Sequence, residues 1–148
     1  KSLTYLINRY QRHPVYHYRF FGAYTDGTLI AILVVRKQFK GTASCLRIVD
    51  MYGDIAGIGG LYHQLQELLT REESEYVDCL NHGIDEAQFR AMGFEKLDRE
   101  DGTIIPNYFE PFERRNVTIN FAIKSPYRDY VIFRGDGDQD RPSILPAG

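Results

Sequence analysis

The sequence predicts a mixed α/β fold in which a mostly antiparallel sheet is flanked by helices. Residues 16–52 form extended apolar segments, residues 57–69 change to a helical period of three and four residues, and residues 76–80 are extended again. A helix between two extended segments is typical of a crossover that joins parallel strands. We therefore expect one sheet that begins with antiparallel strands and ends with a parallel pair.

Size, charge and cysteine content exclude several classes of protein. The 148 residues are enough for one domain, and the net charge of −2 gives no broad positive field for nucleic acid. No apolar run approaches the ~20 residues of a membrane span, so we expect no membrane insertion. Cys45 and Cys79 lie in apolar stretches without CxxC spacing, which predicts reduced thiols and a cytoplasmic location. The start at Lys1, without Met, predicts a domain excised from a longer protein.

The first half of the chain predicts one helix and three strands. Apolar side chains at helical spacing predict a short helix over residues 3–10, which ends before Pro14 because a residue that precedes proline disfavours the α region. A turn with glycine at residues 25–27 separates two apolar arms and predicts a hairpin. Its second arm, residues 29–35, is apolar on both faces, so we expect a central strand. Residues 46–52 predict the third strand.

The second half predicts a helix and two late strands after the crossover. Asp85 is placed as the N-cap of a helix that Gly93 ends. Residues 94–97 are expected to be extended. Residues 117–123 alternate strictly between apolar and polar side chains, and residues 130–133 form a further apolar run. Both predict strands.

The order of these elements resembles that of the GNAT (N-acetyltransferase-like) superfamily. In that family a strand, a glycine-rich loop and a helix bind the coenzyme A pyrophosphate, and a later short helix ends in a Gly-Phe pair. The matching parts here are the third strand, the helix at residues 57–69 and the pair Gly93 and Phe94. The resemblance implies a GNAT-like mixed sheet for residues 1–134, followed by an acidic Gly/Asp/Pro loop and tail at 135–148.

The coenzyme loop departs from the family pattern. The family has Gln or Arg, two residues, Gly, any residue, and Gly or Ala, whereas this chain has Asp54 at the first position, followed by Gly57, Gly59 and Gly60. A carboxylate beside pyrophosphate adds a repulsion of roughly 1 kcal/mol in water and ~4 kcal/mol near a protein surface. The residues before Gly93 also lack the Tyr that often serves as general acid. We expect a degenerate loop that binds no cofactor tightly; alternatively, Asp54 only caps the helix.

Three stretches resemble a narrower group. Residues 8–18, 105–112 and 135–142 are similar to the C-terminal module of two-domain bacterial sugar-nucleotide N-acyltransferases, which modify amino sugars for surface polysaccharide. The resemblance implies that an N-terminal module of the same chain binds acetyl-CoA or another acyl-CoA, and that an amino-sugar nucleotide lies between the modules. This domain then contributes acceptor binding and is inactive alone. The alternative is a pseudo-acyltransferase that serves as an interaction module.

Two residues are candidates for catalysis. His82 follows a strand, where a GNAT-like sheet splays, and an imidazole there can act as a base at neutral pH. Its alternative role is a loop histidine bonded to backbone. Asp50 is expected on one strand face with Leu46, Ile48 and Tyr52, and a carboxylate among apolar neighbours needs a partner or a role. The alternative for Asp50 is a structural hydrogen bond.

The candidates for substrate binding are polar residues in the last third of the chain: Asn107, Arg114, Asn116, Asp136, Asp138, Asp140 and Arg141. The first three, together with Arg115, flank an aromatic stretch that suits base stacking or closure of the core. The aspartates, together with Arg141, suit sugar hydroxyls and a phosphate. Their spacing also begins like a calcium loop, but the required Gly and Glu are missing, so we expect no metal. A solvated acidic loop is the remaining alternative.

Overall fold

The computed structural model describes residues 1–97, 102–106, 113–137, 140 and 142. Four strands form one sheet, two short strands form another, and helices pack against the larger sheet. The predicted class, a mixed α/β fold with a mostly antiparallel sheet, is confirmed. Within the described ranges no helix is both long enough and apolar enough to cross a membrane.

The strands are β1 (Tyr18–Thr25), β2 (Thr28–Lys40), β3 (Ala43–Gly53), β4 (Val77–Cys79), β5 (Asn81–His82) and β6 (Ile132–Phe133). The helices are α1 (Leu3–Leu6), continued by a π-helical turn (Ile7–Gln11), a 3-10 helix (Ile55–Leu61) that leads into α2 (Tyr62–Arg71), and α3 (Glu86–Ala91). A last 3-10 turn covers Arg134–Asp136. The helix predicted from Gly57 thus begins as a 3-10 segment, because glycine disfavours the α-helix.

The larger sheet has the strand order β1-β2-β3-β4. Its first three strands are antiparallel, and β4 pairs with β3 in parallel across the α2 crossover, as predicted. The parallel pairing covers only Leu46 to Ile48, after which the chain leaves β3 and β5 pairs with β6. The Arg134–Asp136 turn lies beside the remainder of β3, where a Cβ on Gly135 would be 2.9 Å from the Val49 carbonyl oxygen. The turn therefore packs against β3 at the point where β4 diverges from it.

A β-bulge in β3 determines which of its side chains point to each face of the sheet. Val49 is an extra residue opposite β2, so the alternation of side chains shifts at this point. Leu46 and Ile48 face the α2 and α3 layer, whereas Asp50 and Tyr52 lie on the α1 side. The expectation that Asp50 shares a face with Leu46 and Ile48 is therefore wrong, and only Tyr52 lies beside it.

Two hydrophobic layers cover the sheet. The layer beneath the 3-10 helix, α2 and α3 includes the buried residues Leu33, Val35, Leu46, Ile48, Met51, Ile58, Leu65, Leu68 and Met92. On the opposite face, Tyr10 packs on Val34 and Val49. Because Val34 and Val35 are buried on opposite faces, β2 is the central strand that its composition predicts.

The structure confirms the predicted ends of α3, whereas one of the two predicted late strands does not form. Asp85 accepts a hydrogen bond from the Ala87 N–H at 2.9 Å, and Gly93 ends the helix with a φ of 84°. Residues 117–123 form no strand, and residues 130–133 contribute only β6. Strict alternation of apolar and polar side chains defines the two faces of a strand but does not supply a second strand with which it can pair. The prediction of a strand at 117–123 is therefore wrong.

Candidate functional site

A cleft of about 550 Å³ lies beside β4, β5 and α3. Its other walls come from residues 94–97, 105–106, 115–117 and 119. Polar groups that line it include Asp78, His82, Lys96, Arg115, Asn116 and Arg134. The volume is in the range of small-molecule sites, so the cleft is large enough for a substrate.

The floor of the cleft holds a buried ion pair. Arg47 on β3 donates to Asp78 on β4 through Nε at 2.8 Å and Nη2 at 2.6 Å, and the two residues are opposite each other in the parallel ladder. Arg134 is buried nearby. Burial, followed by the charge of Arg47, lowers the pKa of Arg134 to about 10. Because Asp78 balances the charge of Arg47, the positive charge of the floor comes from the Arg134 guanidinium, which remains protonated at neutral pH.

His82 lies at the wall of this cleft with an exposed imidazole. Its ring centroid is 5.0 Å from that of Phe121 and 5.6 Å from that of Tyr130. These ring contacts orient the imidazole without using either nitrogen. Within the described contacts the ring donates no hydrogen bond to backbone, so the geometry favours a site residue over a bonded loop histidine.

Asn116 closes the neighbouring wall. Its Nδ2 donates to the Thr103 carbonyl oxygen at 2.6 Å, and its Oδ1 accepts from the Ile105 N–H at 2.9 Å. The amide therefore fastens residues 103–105 to the segment that carries Asn116. This geometry gives Asn116 a positioning role at the cleft.

Of the other predicted substrate-binding residues, none that the structure describes joins this cleft. Arg114 is exposed and lies outside the cleft lining, whereas its neighbour Arg115 belongs to it. Asn107, Asp138 and Arg141 lie outside the described residues. The structure thus brings together His82 and Asn116 from the predicted set.

Asp50 is the centre of a second cluster on the opposite face of the sheet. Its Oδ2 accepts hydrogen bonds from the hydroxyls of Tyr10 at 2.5 Å and Tyr52 at 2.6 Å. Lys1 Nζ lies 2.8 Å from Asp50 Oδ1 and 2.6 Å from Asp136 Oδ1. Because Asp50 is 0% exposed and both its oxygens are bonded, the geometry favours the structural alternative for it.

Asp140 is buried in a third polar cluster. Arg36 Nε donates to Asp140 Oδ1 at 2.7 Å, and the Tyr18 hydroxyl donates to its Oδ2 at 2.6 Å. The Arg36 guanidinium also lies 4.2 Å from the centroid of the Tyr16 ring. A solvated position is therefore wrong for Asp140, which is bonded to Arg36 of β2 and Tyr18 of β1. The described residues contain no group of three or more His, Cys, Asp or Glu side chains that could hold a metal ion.

The glycine turn after β3 is capped by its own aspartate. Asp54 Oδ1 accepts a hydrogen bond from the Ala56 N–H at 3.0 Å, as the helix-cap alternative predicted. A Cβ on Gly59 would lie 3.0 Å from the Ala91 Cβ, whereas nothing lies within 4 Å of one on Gly60. The carboxylate thus satisfies the Ala56 amide. Gly59 is required for close packing against α3.

The charged residues of the cleft lining that the sequence analysis missed include Arg47, Asp78 and Arg134. The sequence does contain a signal for two of them, Arg47 and Asp78. Arg47 interrupts the apolar strand SCLRIV, and Asp78 interrupts the apolar strand YVDCL. Because the crossover predicts that these strands are parallel neighbours, opposite charges in both strands indicate a buried pair.

No protein-family model, curated protein or solved structure matches this chain. Its function is therefore inferred from the cleft, the buried charges and the glycine turn.

Proposed function

We propose that this chain is a GNAT-like module of an acyl-CoA-dependent N-acyltransferase and that its cleft binds the amino-sugar nucleotide acceptor. The observation that carries the proposal is the arrangement of β3, the glycine turn, α2 and β4. The two strands are parallel and part beyond Ile48, and the cleft with His82 lies directly beside β4 and β5. Ligands of open α/β sheets bind outside the carboxyl ends of the strands, which is where His82 lies.

The charge of the cleft supports a phosphate-containing acceptor. The cationic lining residues are Arg47, Arg90, Lys96, Arg115 and Arg134, and the acidic ones are Asp78, Glu86 and Glu95. Five cations and three carboxylates line the cleft, and Glu113 outside the lining pairs with Arg115 at 2.8 Å, which leaves an excess of one positive charge. Guanidinium groups suit the diphosphate of a nucleotide sugar because they can donate two hydrogen bonds to its oxygens.

Aromatic groups near the cleft support recognition of a nucleobase. Phe121 is 50% exposed, and its ring lies beside His82. A nucleobase can stack on such an open ring face. His82 then has the role of a base that accepts a proton from the acceptor's amino group, because its imidazole is exposed at the wall of the cleft.

The chain's own glycine turn does not fit the coenzyme pyrophosphate. The Asp54 carboxylate accepts the Ala56 N–H, and it would place a negative charge beside a dianion. We therefore derive no step of the reaction through a coenzyme bound to this chain. An N-terminal module, as the sequence resemblance implies, remains the proposed site of the acyl donor.

Calorimetric titration with UDP-, dTDP- and GDP-linked amino sugars tests acceptor binding. We expect at least one to bind, and we expect Arg115→Gln and His82→Ala each to weaken that binding roughly ten-fold, a change of ~1.4 kcal/mol. Arg128→Gln and His63→Ala are the matched controls, because both residues are exposed and outside the cleft lining. Absence of binding at millimolar ligand, or equal losses in the controls, contradicts the proposal.

A second candidate function is a pseudo-acyltransferase that serves as an interaction module. It is favoured by exposed apolar side chains on the first hairpin, where Phe20 is 42%, Tyr24 65% and Leu29 46% exposed. Contiguous exposed apolar groups are typical of interaction surfaces. The two candidates differ in the titration, since an interaction module has no need to bind a nucleotide.

A further inference from the structure

The side chain of His13 organises the connection between the π-helical turn and β1. Its Nδ1 accepts hydrogen bonds from the main-chain N–H groups of Val15 at 3.2 Å and Tyr16 at 2.9 Å. A ring nitrogen that accepts a hydrogen bond carries no proton, so these contacts assign the neutral imidazole with its proton on Nε2. We define residues 13–16 as the His13 turn. Its two internal hydrogen bonds depend on the uncharged form of the histidine.

Two tyrosine rings contact the imidazole and connect it to the third polar cluster. The Tyr16 ring stacks on the imidazole with a centroid distance of 5.2 Å and an interplanar angle of 11°, and the Tyr18 ring meets it edge-on at 5.5 Å. The Arg36 guanidinium lies over the same Tyr16 ring, and the Tyr18 hydroxyl donates to Asp140. The His13 turn is therefore packed against a buried pair of opposite charges.

Three charged side chains act on the imidazole: Arg9 from the π-helical turn, Arg36 from β2, and Asp140. Burial, followed by the charge of Arg9, lowers the pKa of His13, and Arg36 acts in the same direction, whereas Asp140 opposes them. Asp140 is already bonded to Arg36 and to the Tyr18 hydroxyl. Among the described residues, a proton on His13 would thus add a third cation to two arginines and one carboxylate.

We propose that the His13 turn is an acid-sensitive switch, which is closed while Nδ1 accepts the two amides and opens when Nδ1 binds a proton from the solvent. The protonated nitrogen is a donor, so it can no longer accept hydrogen bonds from Val15 and Tyr16. The two N–H groups then need water as their acceptor. The imidazolium is also repelled by Arg9 and Arg36, because like charges at close range disfavour each other.

The opening is local, because the turn lies between two anchored elements. The Tyr10 hydroxyl holds the preceding helical segment on the sheet through Asp50, and β1 pairs with β2 from Tyr18 onward. The turn can therefore open without loss of either contact. The switch does not depend on the proposed function, since the cleft lies beside β4, at the other end of the strand order from β1.

The direction of the pH dependence follows from the proton bound in each state. In the open turn the pKa of His13 has its ordinary value of about 6.5, whereas in the closed turn the pKa is lower. The open form therefore binds more protons as the pH falls below about 6.5. The closed turn is fully stable above that pH and loses stability below it.

An NMR titration of the intact chain from about pH 8 to 4.5 tests the switch, since this range spans the titration of histidine. We expect the His13 imidazole to titrate with a midpoint below about 6.5, and the amide shifts of Val15 and Tyr16 to follow the same midpoint. Protection of both amides, corrected for the intrinsic exchange rate, should fall by roughly two- to ten-fold, as expected for the loss of one hydrogen bond each. The Val34 amide is in the buried centre of the sheet and should show no such fall, which distinguishes local opening from unfolding.

The variant His13→Asn separates the hydrogen bonds of the turn from its titration. An asparagine oxygen can accept main-chain amides a few residues later at every pH, so we expect protection of Val15 and Tyr16 without pH dependence. The matched control is His17→Asn, because His17 is exposed and makes no hydrogen bond within the described contacts. We expect this control to keep the response of the parent.

The proposal is overturned if the His13 imidazole titrates while the amides of Val15 and Tyr16 remain unchanged, or if its midpoint lies above about 6.5. It is also overturned if His13→Asn keeps the pH dependence of the parent, or if His17→Asn abolishes it.

Discussion

The Tyr10 hydroxyl lies 2.5 Å from Asp50 Oδ2 and joins the first helical segment to β3 across 40 residues of sequence. Tyr52 donates to the same oxygen at 2.6 Å. Because Asp50 is fully buried, these hydroxyls replace the water that an ionised carboxylate would otherwise bind. The cluster therefore holds the N-terminal segment on the sheet.

Replacement of Tyr10 by Phe tests this role. The variant keeps the ring in the core but removes a hydrogen bond to a charged group, so we expect the free energy of unfolding to fall by about 1.5–3 kcal/mol. Urea denaturation measures the change. Tyr5→Phe is the matched control, since Tyr5 contacts the Tyr10 ring edge-on but is only partly buried. Equal losses in both variants would contradict a special role for the Asp50 contact.

The same cluster predicts lower stability at alkaline pH. Burial, followed by the hydrogen bond to Asp50, raises the pKa of both Tyr10 and Tyr52 above its ordinary value of about 10. The unfolded chain loses these protons from about pH 10, whereas the folded chain retains them. Stability is therefore complete below pH 10 and falls as the pH rises above it. Urea unfolding of the parent and Tyr52→Phe from about pH 8 to 11 should give a shallower decline in the variant, and identical slopes would refute the prediction.

Substitutions of Asp54 distinguish two roles for the glycine turn, a helix cap and a coenzyme-binding site. Asp54→Gln removes the cap, so we expect a loss of about 1 kcal/mol in stability, whereas Asp54→Asn retains an acceptor oxygen and most of that stability. Removal of the charge should raise coenzyme A affinity by roughly ten-fold or more. Calorimetry and denaturation measure the two effects. Micromolar binding of coenzyme A by the parent chain would show that the turn is a working coenzyme site.

Two glycines in this turn are expected to differ in their tolerance of alanine. In Gly59→Ala the new Cβ lies 3.0 Å from the Ala91 Cβ and 3.1 Å from Gln88 Oε1, so we expect a loss of about 1–3 kcal/mol from overpacking. Gly60→Ala points into open space and should be neutral or stabilising by up to about 1 kcal/mol. Thermal unfolding compares them. A loss in Gly60→Ala as large as that in Gly59→Ala would show that packing is not the reason for Gly59.

The elements that depend on local periodicity were predictable from the sequence. The first hairpin, the α2 crossover and the capped helix between Asp85 and Gly93 all follow from patterns within a few neighbouring residues. The face of Asp50 was not predictable, because one extra residue at Val49 reverses the alternation and has no compositional signature. The strand expected at 117–123 failed for a related reason, since alternation does not identify a partner strand.

The candidate site was predictable only in part. His82 could be placed because it follows a strand at the carboxyl edge of a parallel pair. The contact between Arg36 and Asp140 joins residues 104 positions apart, and the contact between Arg47 and Asp78 joins residues 31 apart. The crossover indicates that Arg47 and Asp78 meet, whereas no sequence signal brings Asp140 to Arg36 or Arg134 to the cleft. The position of Arg134 in the cleft floor therefore emerged only from the structure.

We propose that the cleft beside His82 binds an amino-sugar nucleotide. The most direct test is chemical-shift mapping of the isotope-labelled chain during titration with UDP-, dTDP- and GDP-linked amino sugars. We predict saturable shifts in the His82 imidazole and in the amides around Asn116 and Arg134, with none around Asp50. Absence of saturable shifts with every nucleotide, or shifts confined to the Asp50 face of the sheet, would contradict the claim.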